Sequence, residues 1–371
     1  MEDFKVGTTE MGFIFSAQYV ATIFGAILFG ELADRLGRKN ILILSILWDA
    51  ILTAASAFAP NYAVLAVLRI VSGMGVSWGI AFALMSEVYS PKHRGFFGGL
   101  VSATFLIGYI ISAITGSILY PVYGWRPCLL VALFPIPILV ILYFVLPESR
   151  LWKEYKEMEE KVETIKPKVS VRELMRGAYL RLTILCCLLF WASEFAYHAI
   201  VDWGPTLLNI ELGFKVEEAS SIILLASLLV ACLLPLVGLV SDFIGRRKAF
   251  AIPAFVGFVG VIALGYFTLI NYSVTYAVVS LFITVAAFSN ESLYGVWSSE
   301  IFPTKVRATA TSLTFSVARG LSWGGLIIGY LATFTGLAVA MLISVVGFFL
   351  MTVLPWLLPE TKGKELKAVE V

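Results

Sequence analysis

The sequence predicts an all-α polytopic membrane protein built from two parallel helical repeats. Three observations carry that prediction. Apolar blocks recur at the length of a bilayer, Lys and Arg gather on one side of them, and three motifs return in the same order in both halves.

Of the 371 residues, 59% are hydrophobic and 14% are charged, against about 25% charged in ordinary soluble domains. Many apolar blocks reach the ~18–20 residues a helix needs to cross the hydrocarbon layer. A net charge of +2 gives nucleic-acid binding no support. Cys128, Cys186, Cys187 and Cys232 lie within or at the ends of apolar blocks. They show neither metal spacing nor a disulfide framework. Met1 opens a short polar stretch, so no signal peptide is read. No phosphate-binding glycine loop, metal cluster or nucleophile constellation appears. The chain therefore reads as neither enzyme nor ATP-driven pump, and no cofactor is expected.

Eleven spans are predicted, at 10–30, 40–59, 62–86, 95–120, 125–146, 179–203, 216–238, 249–270, 274–298, 308–333 and 336–357. Residues 1–149 form a first bundle, 150–178 a polar linker read as a solvated helix, and 179–371 a second bundle with a short tail. Alternation of the spans puts 22 of the 27 Lys and Arg residues on one face. Only Lys5, Arg126 and Lys215 fall on the other, and Arg69 and Arg319 lie within spans. Basic loops stay in the cytoplasm, so a plasma-membrane protein with a cytoplasmic C-terminus is expected.

The internal repeat sets the architecture. Gly30, Asp34, Gly37 and Arg38 recur as Gly238, Asp242, Gly245 and Arg246, each 208 residues later. EVYSPKHR (87–94) recurs as EIFPTKVR (300–307), and LPES (146–149) as LPET (358–361). Both copies face one side, as in repeats related by an axis along the membrane normal. The span at 179–203 has no counterpart in the first half. A twelve-helix parent is therefore expected, its first helix lost through a late start codon or a truncation. A genuine eleven-helix protein is the alternative.

GELADRLGRK (30–39), its echo GLVSDFIGRRK (238–248) and the two-bundle layout resemble the major facilitator superfamily over essentially the whole chain. WRPCLLVALFPIPILVILYFVLPES (125–149), VDWGPTLL (201–208) and SSEIFPTKVRATA (298–310) look like its proton-coupled metabolite branch, which carries aromatic acids, sialic acid and nicotinate. LLFWASEFAYHAIVDW (188–203) departs from the paired-glutamine motif of sugar porters. GYIISAITG (108–116) lacks the Gly-Pro signature of drug–proton antiporters.

The opening motif sits where the chain turns at the basic face. Gly30 and Gly37 allow close helix approach. Asp34 can face the positive N-terminus of a neighbouring helix, and the resemblance implies that this is the family's eleventh helix. Arg35 and Arg38 can reach Glu87 or another acidic group at the cytoplasmic rim. Arg94 closes the first Glu-to-Arg pair. Gly238, Asp242, Gly245, Arg246, Glu300 and Arg307 would repeat the arrangement. Together these residues are expected to latch the cytoplasmic side shut while the outer side is open.

Ionisable groups at membrane depth are costly, by at least about 2.5–3.5 kcal/mol on insertion scales, and so mark function. In symporters that resemble this chain an arginine at the position of Arg69 partners an aspartate on the first helix. Within this sequence Asp49 is the available partner. Glu194, His198 and Asp202 lie four apart on one helical face, suited to a proton relay, with Asp202 near the outer surface and read as solvated, and Trp191, one turn before Glu194, continuing the same lining. Asn290, Glu291, Tyr294 and Trp297 form a polar–aromatic set on a helix that lines the cavity in this superfamily. Arg319 lies at a depth similar to Glu291, and a Glu291–Arg319 pair is expected, structural or functional.

The leading expectation is a monomeric secondary transporter for a small organic solute, a carboxylate in the first instance, moved by alternating access with proton symport. Its partners are the solute, protons and the lipid bilayer. Two alternatives stay open: an uncoupled facilitator or exporter of sugar or another metabolite, and a non-transporting sensor or truncated product.

Overall fold

A computed structural model describes residues 4, 8–161 and 171–368. The polar start at Met1, Lys5 and the middle of the linker lie outside the described residues. Every regular element among those described is helical, as a lipid-embedded backbone requires when its polar groups must be satisfied internally.

The first bundle contains α1 (Thr8–Leu36), α2 (Arg38–Ala55), α3 (Tyr62–Ser72), α4 (Trp78–Val88), α5 (Arg94–Tyr123), α6 (Trp125–Leu130) and α7 (Pro135–Val145). The linker carries α8 (Arg150–Lys161) and α9 (Val171–Leu174). The second bundle contains α10 (Gly177–Ile200), α11 (Gly204–Ile210), α12 (Val216–Ile244), α13 (Arg246–Leu269), α14 (Val274–Ala286) and α15 (Tyr294–Ile301). It ends with α16 (Arg307–Gly320), α17 (Gly324–Thr335), α18 (Leu337–Met341) and α19 (Ser344–Val353).

Among the described residues, nine helical passages are long and apolar enough to cross a membrane. They match nine of the eleven expected spans. The other two are broken. Gly73 and Gly75, poor helix formers, fall between α3 and α4. The break between α16 and α17 falls at 321–323, after a helix rich in Ser and Thr. One of these, Thr314, turns its hydroxyl back onto the Ala310 carbonyl at 2.8 Å, which lets a polar helix keep its side chains satisfied. Residues 287–293 form a 3₁₀ stretch between α14 and α15. Discontinuous helices of this kind build central sites in transporter folds.

The halves meet along two helix pairs, α1 with α16 and α5 with α12. The largest buried cluster lies in the second half around Phe250, Phe288, Tyr294, Trp297 and Phe348. The linker differs from the solvated helix expected of it. Trp152 of α8 donates its indole N–H to the Asp34 carbonyl at 2.9 Å, and Tyr155 is buried. Burial, with Glu159 and Glu173 nearby, pushes the Tyr155 hydroxyl up to about 12.

Candidate functional site

The chain turns from α1 into α2 through one residue, Gly37, at φ 112°. Its counterpart Gly245 turns α12 into α13 at φ 95°. A side chain is strained there, so Gly37 serves the turn rather than the helix contact expected of it. Gly30 does serve contact: a Cβ placed on it would lie 2.7 Å from the Thr309 Cα. Gly238 meets the Gly95 backbone in the same way.

These close approaches bring each aspartate to a helix of the other half. Asp34 accepts from the Ala308 N–H at 3.1 Å, the Thr309 N–H at 2.9 Å and the Thr309 hydroxyl at 2.6 Å. Asp242 accepts from the Gly95 N–H at 2.9 Å and the Phe96 N–H at 3.1 Å. Each carboxylate thus caps the positive end of a helix, α16 or α5.

Arginines complete the rim. Arg38 contacts Asp34 at 3.0 Å and Glu87 at 3.3 Å, and donates to the Thr304 carbonyl at 2.6 Å. Arg307 pairs with Glu87. In the second half Arg246 contacts Asp242 at 2.7 Å and grips both oxygens of Glu300, at 3.0 and 2.8 Å. Arg94 reaches the same Glu300 at 3.0 Å. All these side chains are buried. Buried charges persist only when paired and hydrogen-bonded, and here each is. Arg35 takes the other acid the sequence allowed: it is half-exposed and pairs with Glu31 at 3.1 Å, because its neighbour Asp34 occupies the inward face.

Two functional residues escaped the sequence reading. Glu148 accepts from the Arg38 N–H at 3.0 Å and the Lys39 N–H at 3.2 Å, capping α2. Glu360 accepts from the Arg246 N–H at 2.9 Å and the Arg247 N–H at 3.2 Å, capping α13. They are the glutamates of LPES and LPET, so the repeat was the signal. Burial opposes the Glu360 charge, yet the N–H groups of Arg246, Lys362, Arg247 and Thr361 outweigh it and hold the group below its ordinary value.

On the side away from the basic rim lies a cavity of about 1410 Å³. Tyr19, Phe105, His198, Asp202, Arg319 and Trp323 are among its walls. A deeper pocket of about 110 Å³ adjoins it, reaching Glu194, Glu291, Tyr294 and Trp78. Arg319, His198 and Phe105 line both spaces. His198 stands 2.8 Å from Asp202 and 3.7 Å from Glu194. Side-chain exposure falls from 50% at Asp202 through 18% at His198 to 10% at Glu194, so the three descend from the cavity into the pocket. The guanidinium of Arg319 lies 5.1 Å from the Tyr19 ring centre and 5.8 Å from those of Phe105 and Phe315. Its Nε is buried without a hydrogen-bond partner.

The remaining candidates lie elsewhere. Asn290 is buried in the second half, its amide 3.4 Å from the Phe250 carbonyl, and lines neither space. Trp297 is buried too, donating to the Pro359 carbonyl at 3.0 Å. Trp191 donates to the Leu321 carbonyl at 3.0 Å, bracing the break after α16 instead of extending the polar face. Arg69 donates to Thr53 at 3.1 Å and Gln18 at 3.2 Å. Thr53 in turn donates to Asp49 at 3.3 Å, so Asp49 meets Arg69 through a hydroxyl and not as a direct ion pair. Among the described residues Glu291 and Arg319 form no direct ion pair.

The sequence model of the Major Facilitator Superfamily matches residues 1–325. The chain belongs to this superfamily. It is therefore a membrane transporter and not an enzyme. The chain is 27% identical to the cis,cis-muconate transport protein of Acinetobacter baylyi over 367 residues, covering 97% of this chain and 87% of the relative. It is likewise 27% identical to the niacin transporter NiaP of the same organism, over 100% of this chain and 90% of the relative. The solved proton:xylose symporter XylE bound to 6-bromo-6-deoxy-D-glucose superposes with a TM-score of 0.78 at 19% identity. That match covers 98% of this chain and 90% of XylE and speaks for the superfamily fold alone.

Proposed function

We propose that this transporter moves a small organic carboxylate together with a proton by alternating access, its basic rim in the cytoplasm of a plasma-membrane protein. One observation carries the reading: an arginine, Arg319, stands ringed by Tyr19, Phe105 and Phe315 where the large cavity narrows into an acid-lined pocket. A guanidinium offers forked donors to a carboxylate, and the rings suit a flat organic body. Relatives that carry organic acids point the same way. The rim is the latch of the outward-open form, and the collected bases on that face support its cytoplasmic placement. One chain supplies both sides of rim and cavity, so a monomer suffices.

The test is uptake of labelled cis,cis-muconate and niacin by proteoliposomes holding the full chain under an inward proton gradient. Accumulation above the outside concentration, abolished by a protonophore, supports symport. Equilibration that survives the protonophore identifies a facilitator. Absence of carboxylate uptake removes the organic-anion reading.

A further inference from the structure

The deep pocket holds two carboxyl groups, Glu194 and Glu291, and one arginine, Arg319. Glu194 has His198 as a neighbour at 3.7 Å, and His198 has Asp202. The Glu291 side chain makes no hydrogen bond or ion pair among the described residues. Among the described residues Arg319 is the one Arg or Lys that lines the pocket with it, and Arg319 also faces the cavity.

The geometry points to Arg319 as a counter-charge that Glu291 and an incoming carboxylate hold in turn, with Glu291 as the proton site of coupled transport. This rests on the organic-anion reading above. In the proposed empty state Arg319 is the positive charge that faces Glu291 across the pocket. A carboxylate entering from the cavity meets the unpartnered Nε and takes that charge. Glu291 then stands ionised, without a cation, among Phe288, Tyr294 and Trp78, a costly arrangement at membrane depth. A proton from cavity water adds to one Glu291 oxygen and removes the cost, while Arg319 keeps its own protons. Ligand and proton then bind more tightly together than apart, which is the requirement for symport.

Other titratable groups face the same space. His198 and Asp202 balance one another at 2.8 Å, and Glu194 lies on the same ladder. Tyr19 and Tyr197 stand on the cavity side and Tyr294 beneath. Glu291 is the carboxyl left without a compensating neighbour once Arg319 is engaged.

The experiment measures benzoate, niacin and cis,cis-muconate binding to the purified full chain, by Trp fluorescence and by a pH dye in weak buffer. The wild type is expected to take up close to one proton per ligand bound. Its affinity should fall about tenfold per pH unit on the alkaline side, as linkage of one proton requires. Glu291→Gln, which mimics the protonated acid, should bind without proton uptake and with affinity nearly flat in pH. Arg319→Gln should lose binding by about a hundredfold or more, and Arg319→Lys should recover part of it. Monodispersity on gel filtration checks the fold of each variant. Proton uptake persisting in Glu291→Gln, or wild-type binding in Arg319→Gln, overturns the assignment. If the wild type binds none of the three carboxylates, the organic-anion reading itself has failed.

Discussion

The Asp34 carboxylate accepts both the backbone N–H and the hydroxyl of Thr309, at 2.9 and 2.6 Å, across 275 positions of sequence and between the two halves. Its counterpart Asp242 meets the other half through the backbone N–H groups of Gly95 and Phe96 alone, with no hydroxyl donor from that helix. The first cap is therefore the stronger, and its loss the more informative.

Asp34→Ala leaves Arg38 and the α16 end without their carboxylate. Removing one member of a buried pair costs about 3–5 kcal/mol, and a fall in thermal stability of the detergent-solubilised protein measures it. Thr309→Val removes one hydrogen bond and is expected to cost about 1 kcal/mol.

Gly37→Ala places a Cβ at φ 112°. The strain is about 1–3 kcal/mol, and the added atom also meets the Glu148 carboxylate. With ψ at 146° the residue lies outside the region that asparagine tolerates, so Gly37→Asn should lose at least as much stability in the same thermal assay.

Acid should weaken the α13 cap. The folded Glu360 value lies below its ordinary 4.5. Its contribution is therefore fully present above that ordinary value and is lost as pH falls through the lower folded one. Glu360→Gln should lower stability at neutral pH and make the acid-side loss shallower. An unchanged acid slope in that variant rejects the cap as its source.

Asn290 faces neither cavity nor pocket, and its Oδ1 has no partner. Asn290→Leu should change stability by no more than about 1 kcal/mol and leave the uptake KM unaltered. A raised KM would return Asn290 to the binding site.

Legibility in the sequence followed periodicity. Asp34, Arg38, Glu87 and their repeats stood out because charges interrupted apolar blocks twice at one spacing. Which rim acid Arg35 takes was open: adjacent helical positions point about 100° apart, so with Asp34 at the interface Arg35 turns to Glu31. Asn290 and Trp297 were assigned to the cavity on a regular α-helical face. Residues 287–293 are 3₁₀, which turns about 20° further per residue and rotates that face inward. Glu148 and Glu360 act on helices more than a hundred residues away, a relation no local pattern carries. The pocket joining Glu194, Glu291 and Arg319 was only half visible, since depth along separate helices does not determine their facing.

Each rim glutamate has one arginine from its own half and one from the other: Arg38 and Arg307 on Glu87, Arg246 and Arg94 on Glu300. In the alternating access proposed above, parting of the halves takes the foreign arginine away and leaves the native one. The departing groups are also provided for, since Arg94 keeps the Ser86 carbonyl and Arg307 the Ser299 carbonyl. Opening therefore strands no bare ion in a dry interface. The seal can be firm at rest and still quick to release, so turnover need not be traded against leak.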